Sequence, residues 1–175
     1  MGRDMALFAD DDGVAYPIFS PEETRPLPIA KLSDDWLGHA GEFGRVMPGG
    51  RNEAPAVFRH DDNSSMITSG LTGWAPQAKA FIADSIYGPG LTSETRGEGG
   101  ICRTHLAPVR LGVVKARSCY RYGEGADKRF MAMFDIWRPK NAIDGCEEWL
   151  PITMGTDRRS LREQHAWSPV EQSLR

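Results

Sequence analysis

The chain has 175 residues, 40% hydrophobic, 26% charged and 9% aromatic, enough for one ordinary core and too few for two full domains. Nineteen Gly and twelve Pro exceed average usage without reaching the level of low-complexity disorder, so the chain reads as globular and loop-rich. A net charge of -3, from 21 basic and 24 acidic side chains, excludes a uniformly basic nucleic-acid coat and a strongly acidic solvating tail.

Arg, Asp, Gly or Pro interrupts every hydrophobic stretch, and none approaches the roughly 18 residues of a membrane helix; a soluble protein with no membrane partner is expected. Residues 1–12 carry Asp4 and the run Asp10, Asp11, Asp12 around a short apolar patch, unlike a secretory leader or a basic transit peptide. Three cysteines, Cys102, Cys119 and Cys146, argue against a disulfide scaffold and fit a reducing compartment, so synthesis in the cytoplasm is the expectation.

From Tyr16 to Pro55 the chain places Pro at 17, 21, 26, 28, 48 and 55 with five Gly between Gly38 and Gly50. Missing backbone donors and flexible joints predict an extended arm over residues 1–55, with one helical turn at Ser33–Leu37 capped by Ser33 and ended by Gly38. A helix is predicted from Trp74-Ala75-Pro76, where Ala80, Phe81, Ile82 and Ile86 recur at helical spacing until Gly88-Pro89-Gly90. The polar, glycine-rich segment 90–100 then reads as a surface loop.

Val114, Ala116, Ser118, Tyr120 and Tyr122 alternate with Lys115, Arg117, Cys119 and Arg121, the period of a half-buried strand, and the opposite parity of Val109 and Leu111 suggests a bulge at Gly112. Residues 123–128 form a natural hairpin loop, after which Phe130, Ala132, Phe134 and Ile136 alternate with Arg129, Met131, Met133 and Asp135. A further strand is predicted over 148–154 and a helix over 156–167. The expected fold is therefore α+β and β-rich: a small antiparallel sheet (hairpin about 109–138 and a strand about 148–154), short helices, the N-terminal arm, and one globular domain over 56–175.

Four residues have the chemistry of a structural zinc site: Cys102 and His105 at knuckle-like spacing, with Cys119 and Cys146. Against them stand the isolation of the last two cysteines and the habit of cysteine to act as a small buried hydrophobe. Lys115, Arg117 and Arg121 on one strand face would suit phosphate contacts or pairing with an acidic neighbour. His60-Asp61-Asp62, with His39 upstream, offers metal-ligand types, although Arg59 to Ser65 reads as an Asx-rich turn. Ser64 and Ser65 near His60 have no nucleophile-elbow signature, and the glycine-rich segments at 97–100 and 123–125 lack the lysine of a phosphate loop.

No residue set has catalytic spacing. The apolar anchors within the arm, Trp36, Leu37 and Phe43 among them, and the opposite charge of the two halves, with residues 1–88 at -6 and residues 89–175 at +3, favour assembly. The expectation is thus a non-enzymatic structural subunit, most readily a component of a virus or phage particle. Its interface would use Trp36, Leu37, Phe43, Lys115, Arg117 and Arg121 to bind copies of itself or other subunits, with no cofactor. The alternatives are a zinc-stabilised nucleic-acid-binding module and a small metal-dependent hydrolase using His60 and Asp61.

Overall fold

In the computed structural model the residues described are 2–21, 26–46, 52–70, 78–88, 102–104, 114–123, 125–136, 138, 140–154, 159–161 and 167–168. They form twelve strands in three antiparallel sheets. Sheet 1 holds β1 (Gly2–Ala9), β2 (Ala15–Pro21), β3 (Leu27–Leu32) and β4 (His39–Val46). Sheet 2 holds β5 (Asn52–His60), β6 (Asn63–Gly70), β7 (Ala78–Ala83) and β8 (Cys102–Thr104). Sheet 3 holds β9 (Val114–Tyr122), β10 (Arg129–Ile136), β11 (Cys146–Met154) and β12 (Arg159–Leu161). Each is a meander in which neighbours in sequence are neighbours in space.

The meanders stand side by side, because β5 touches β1 on one side and β9 on the other. One core lies between sheets 1 and 2: Ile18, Leu27, Ile29 and Val46 meet Val57, Met66 and Ile86, with Phe8, Tyr16, Phe81 and Tyr87 around them. A second core lies between sheets 2 and 3, where Ala56, Phe58, Ile67 and Ala80 meet Phe130, Ala132, Phe134, Leu150, Ile152 and Leu161. The Phe58 and Phe130 rings sit 4.7 Å apart across this junction. Alternate residues of β5 and β6 therefore enter different cores, Phe58 one and Val57 the other, so sheet 2 is buried on both faces. Four-stranded meanders set in sequence around their first strands have the arrangement of β-propeller blades, and three of them make an arc.

Polar contacts show that the first strands run in the same direction. Asp4 of β1 accepts the Ala54 N–H of β5 at 3.2 Å. Just beyond the other end of β1, Asp10 accepts from Arg59 Nη1 at 2.7 Å. At that same end Arg121 of β9 donates to Asp11, and Lys128 lies 3.4 Å from the other oxygen of that carboxylate, which ties sheet 1 to sheet 3.

The α+β expectation is corrected: among the described residues there is no α-helix, only 3-10 turns at Gly125–Asp127 and Ala142–Asp144. The stretch read as an arm is sheet 1, in which Ile18, Leu27 and Ile29 are fully buried. Its prolines fall in a sheet where they need not donate, Pro17 opposite Leu7 and Pro28 opposite Arg45. The turn at 33–37 is a hairpin loop rather than a helix, closed by Ser33 N–H on the Gly38 carbonyl at 2.8 Å and by Ser33 Oγ on Asp35 at 2.6 Å. The helix predicted after Trp74 is replaced by β7, whose apolar run packs on both sides of sheet 2 and so lacks strand alternation. In place of the predicted C-terminal helix, Arg159–Leu161 pair with β11; the rest of that span up to 166 is outside the described residues, as is the expected bulge at Gly112.

The hairpin of β9 and β10 and the following strand form where the alternation places them. Gly123 (φ +76) turns that hairpin, and a Cβ there would collide with the Asp127 carbonyl. The bulge lies at Arg117, where Ser118 faces Met133 and Ala116 faces Phe134. That extra residue reverses the parity beyond it, so Cys119 packs on the core while Tyr120 is exposed, opposite to the simple alternation.

Two tests follow from this packing. Phe130→Ala removes the ring that joins sheets 2 and 3 and should cost about 3–5 kcal/mol in denaturant unfolding. The Arg121 guanidinium holds the Asp11 carboxyl below its ordinary 3.8, so the clamp between sheets 1 and 3 is fully present above that pH and is lost as pH falls through the lowered value. Asp11→Asn should accordingly melt below the wild-type chain near pH 7 and converge with it by about pH 2 in a pH series of thermal melts.

Candidate active site

The two ends of the parallel first strands differ in chemistry. At the starting end, β5 opens with Asn52, Glu53 and Ala54. Asn52 and Glu53 are buried, Glu53 with 6% of its surface exposed. A carboxylate at this depth is rare on structural grounds alone, since removing it from water is costly. The backbone beside it is also unusual. Ala54 has φ +50, in the left-handed region that disfavours a side chain, and the pairing of β5 with β6 shifts register between Glu53 and Ala56.

Three contacts hold this distortion. The Asp4 carboxylate of β1 accepts the Ala54 N–H, and Asn52 Oδ1 accepts the Thr68 hydroxyl of β6 at 3.2 Å in a fully buried bond. Pro55 is fully buried immediately afterwards. The bulge thus sets Glu53 apart from regular strand alternation, and the cross-sheet bond ties the next residue, Ala54, to a second acid, Asp4. Two carboxylates at neighbouring strand ends can transfer a proton and stabilise developing positive charge.

At the finishing end a cleft of about 420 Å³ is lined by Asp10, Asp11, Asp12, Arg59, His60, Asp61, Gly125 and Lys128. Its charges are largely spent on one another in the Asp10–Arg59 and Asp11–Arg121–Lys128 links. His60 Nδ1 lies 3.2 Å from Asp61 Oδ2, and its ring meets the Phe130 edge at 5.8 Å. Asp61 and Asp62 are the two-residue turn of the β5–β6 hairpin, with φ +52 at Asp61, so the turn is shorter than the span 59–65 suggests. His39 opens β4 on the exposed side of sheet 1. Among the described residues no group of three His, Cys, Asp or Glu side chains is placed to hold a metal.

The cysteines do not converge. Cys119 and Cys146 flank β10 on opposite sides, opposite Ala132 and Ile136, which a strand separates by about 13 Å. Burial pushes the Cys119 thiol above its ordinary range, the opposite of what a metal ligand needs, while Cys146 is exposed. Cys102 lies in β8 opposite Ile82, and His105 is outside the described residues.

The residues proposed for an interface divide similarly. Trp36 and Leu37 sit at the β3–β4 turn, with Trp36 Nε1 donating to the Gly13 carbonyl at 3.2 Å, and Phe43 is exposed on β4. Arg121 is engaged with Asp11; Lys115 pairs in register with Asp135, and Arg117 is the bulge residue. The sequence offered little to find Glu53, since Asn-Glu-Ala-Pro carries no catalytic spacing; its one signal is an acidic residue directly before the apolar run Ala54 to Phe58.

No protein-family model matches the chain, and no curated protein does. Solved structures do. The chain is 35% identical to a GH43 β-1,3-galactosidase solved with galactodeoxynojirimycin, over 95% of this chain and 47% of that one, with a TM-score of 0.77. A second GH43 β-1,3-galactosidase gives 26% identity, 97% and 35% coverage, and a TM-score of 0.77. An exo-β-1,3-galactanase from Clostridium thermocellum gives 23%, 92%, 34% and 0.74 in the same measures, a likeness of fold. The chain spans less than half the length of these three proteins. The expected structural subunit of a virus or phage particle is overturned by this similarity, as is the zinc-stabilised nucleic-acid module: β-rich glycoside hydrolases point to an enzyme.

Proposed function

We propose that this chain carries part of the catalytic apparatus of a glycoside hydrolase acting on β-1,3-linked galactose, with Glu53 as the proton-transferring carboxyl. The observation that carries the reading is 35% identity sustained over 95% of the chain to a GH43 β-1,3-galactosidase. The buried Glu53 on its distorted strand end supports it, because strain held in place by surrounding contacts is concentrated at functional sites.

Hydrolysis of a glycosidic bond needs a proton delivered to the leaving oxygen as the bond to the anomeric carbon breaks, and a water that adds to that carbon and gives up a proton. Glu53 would donate to the leaving oxygen. Asp4 acts on Glu53 through position: by accepting the Ala54 N–H it holds the left-handed residue that aims its neighbour.

Incubation of the chain with β-1,3-galactobiose should release galactose, read by chromatography. Glu53→Gln should lower the rate by at least about 10²-fold with galactodeoxynojirimycin binding retained. Full activity in that variant, or neither galactose release nor inhibitor binding by the wild-type chain, overturns the reading. Ala54→Gly tests the strain separately: it relieves roughly 1 kcal/mol of left-handed cost while freeing the backbone, so the rate should fall more than the melting temperature.

A further inference from the structure

We propose that the cleft at the finishing end of the first strands is a second sugar site, which holds a segment of β-1,3-linked galactan between its carboxylates and the Trp36 indole. The choice of galactan rests on the function proposed above. The site itself rests on the charge balance of the cleft and on the way Trp36 is held.

Four carboxylates, those of Asp10, Asp11, Asp12 and Asp61, share this cleft of about 420 Å³ with Arg59, His60 and Lys128. Each carboxylate has a partner. Arg59 donates to Asp10 at 2.7 Å, Arg121 and Lys128 engage Asp11, the Val14 N–H donates to Asp12 at 2.9 Å, and His60 lies 3.2 Å from Asp61. An anion would meet these carboxylates, and a cation would meet groups already occupied by arginine and lysine. Among the described residues no three ligands are placed for a metal. An apolar ligand would take water from every one of these groups and return no hydrogen bond. A neutral ligand rich in hydroxyls suits the cleft on each count. A paired carboxylate keeps lone pairs that accept from a hydroxyl, and its partners hold it in a fixed position, which lowers the cost of ordering on binding.

Trp36 supplies the apolar surface that a pyranose ring also requires. Its backbone is left-handed, φ +61, a region that disfavours so large a residue. The turn keeps it there: the Ser33 carbonyl accepts the Trp36 N–H at 2.8 Å, Asp35 accepts the Leu37 N–H at 3.0 Å, and Ser33 Oγ accepts the Gly38 N–H at 3.0 Å. The indole Nε1 donates to the carbonyl of Gly13, the residue after Asp12, at 3.2 Å, so the ring is fixed beside the loop that walls the cleft. A tryptophan that served only to fill space would be hidden, yet 45% of Trp36 is exposed. Galactose carries an axial hydroxyl at C4, which gathers the C–H groups of C3, C4 and C5 on the other side of the ring. That side lies flat on an indole while the hydroxyls at the ring edge reach carboxylates.

This site is separate from Glu53. β5 carries Glu53 near one end and His60 at the other, about 23 Å away along a strand. A polymer held at the finishing end stays at high local concentration around the same molecule, which favours repeated attack on one chain.

The experiment is an NMR titration of the isotope-labelled chain with a β-1,3-galactotriose whose glycosidic oxygens are replaced by sulfur, so that it resists cleavage. Trp36→Gly and Asp61→Gly are titrated alongside. Both positions are left-handed, φ +61 and +52, so glycine removes each side chain without backbone strain, and thermal melts verify that both variants remain folded. The indole N–H resonance missing from Trp36→Gly identifies Trp36 among the five tryptophans. In the wild type it should shift saturably, and should do so with galactodeoxynojirimycin present in excess. Each variant should bind at least about 10-fold more weakly at the finishing end, read from the resonances of His60 and Lys128. An unmoved Trp36 indole, affinity retained in either variant, an equal response to cellotriose, or loss of the shift when galactodeoxynojirimycin is added overturns the proposal. No turnover is read, so failure of this site is distinguishable from failure of the catalytic reading, which shows as absent galactose release and absent inhibitor binding.

Discussion

Burial of sheet 2 on both faces is the constraint on which the rest of this molecule depends. β5 and β6 send alternate residues into two different cores, Phe58 and Ile67 into one, Val57 and Met66 into the other. A strand in that position has no solvent face on which to place a charge. Glu53 is the charged side chain of β5 that is buried, Arg59 lying half-buried at the finishing end, and it sits where the strand leaves regular pairing, at a bulge and beside a left-handed alanine. The distortion persists because Asp4 reaches across from β1 and Asn52 is bonded to Thr68 within the sheet. The packing of three sheets and the presentation of one carboxylate are thus a single structural fact.

The two ends of the first strands show how similar residue types acquire different uses. Asp10, Asp11, Arg59, Arg121 and Lys128 form a charged cluster, yet they are committed to links between sheets. Partial exposure makes each link weak in isolation, but together they fix the parallel alignment of β1, β5 and β9. That alignment brings Asp4 to Ala54 at the opposite end. The finishing end serves as the clamp and the starting end as the candidate for chemistry.

Local pattern made the β9–β10 hairpin and its successor strand legible, because each half carries alternation long enough to survive one bulge. It failed for sheet 1, where prolines and glycines read as an arm although they sit at sheet positions that tolerate them. It failed for β7, whose residues pack on both sides and so lose the period of two. The cysteines misled for a similar reason: Cys119 follows the parity set by Arg117, and it is a core residue rather than a ligand.

Side-chain alternation and a glycine loop are enough to specify the β-rich second half of the chain, where the hairpin forms. Those are local properties, carried by neighbours within a few residues. That the first half is a sheet, that sheet 2 is buried twice, and that Asp4 reaches the Ala54 N–H depend on contacts between distant segments. The physical reason is separation along the chain: Asp4 and Ala54 meet through a bond across 50 positions, and no period within one segment encodes which distant segment will cover it.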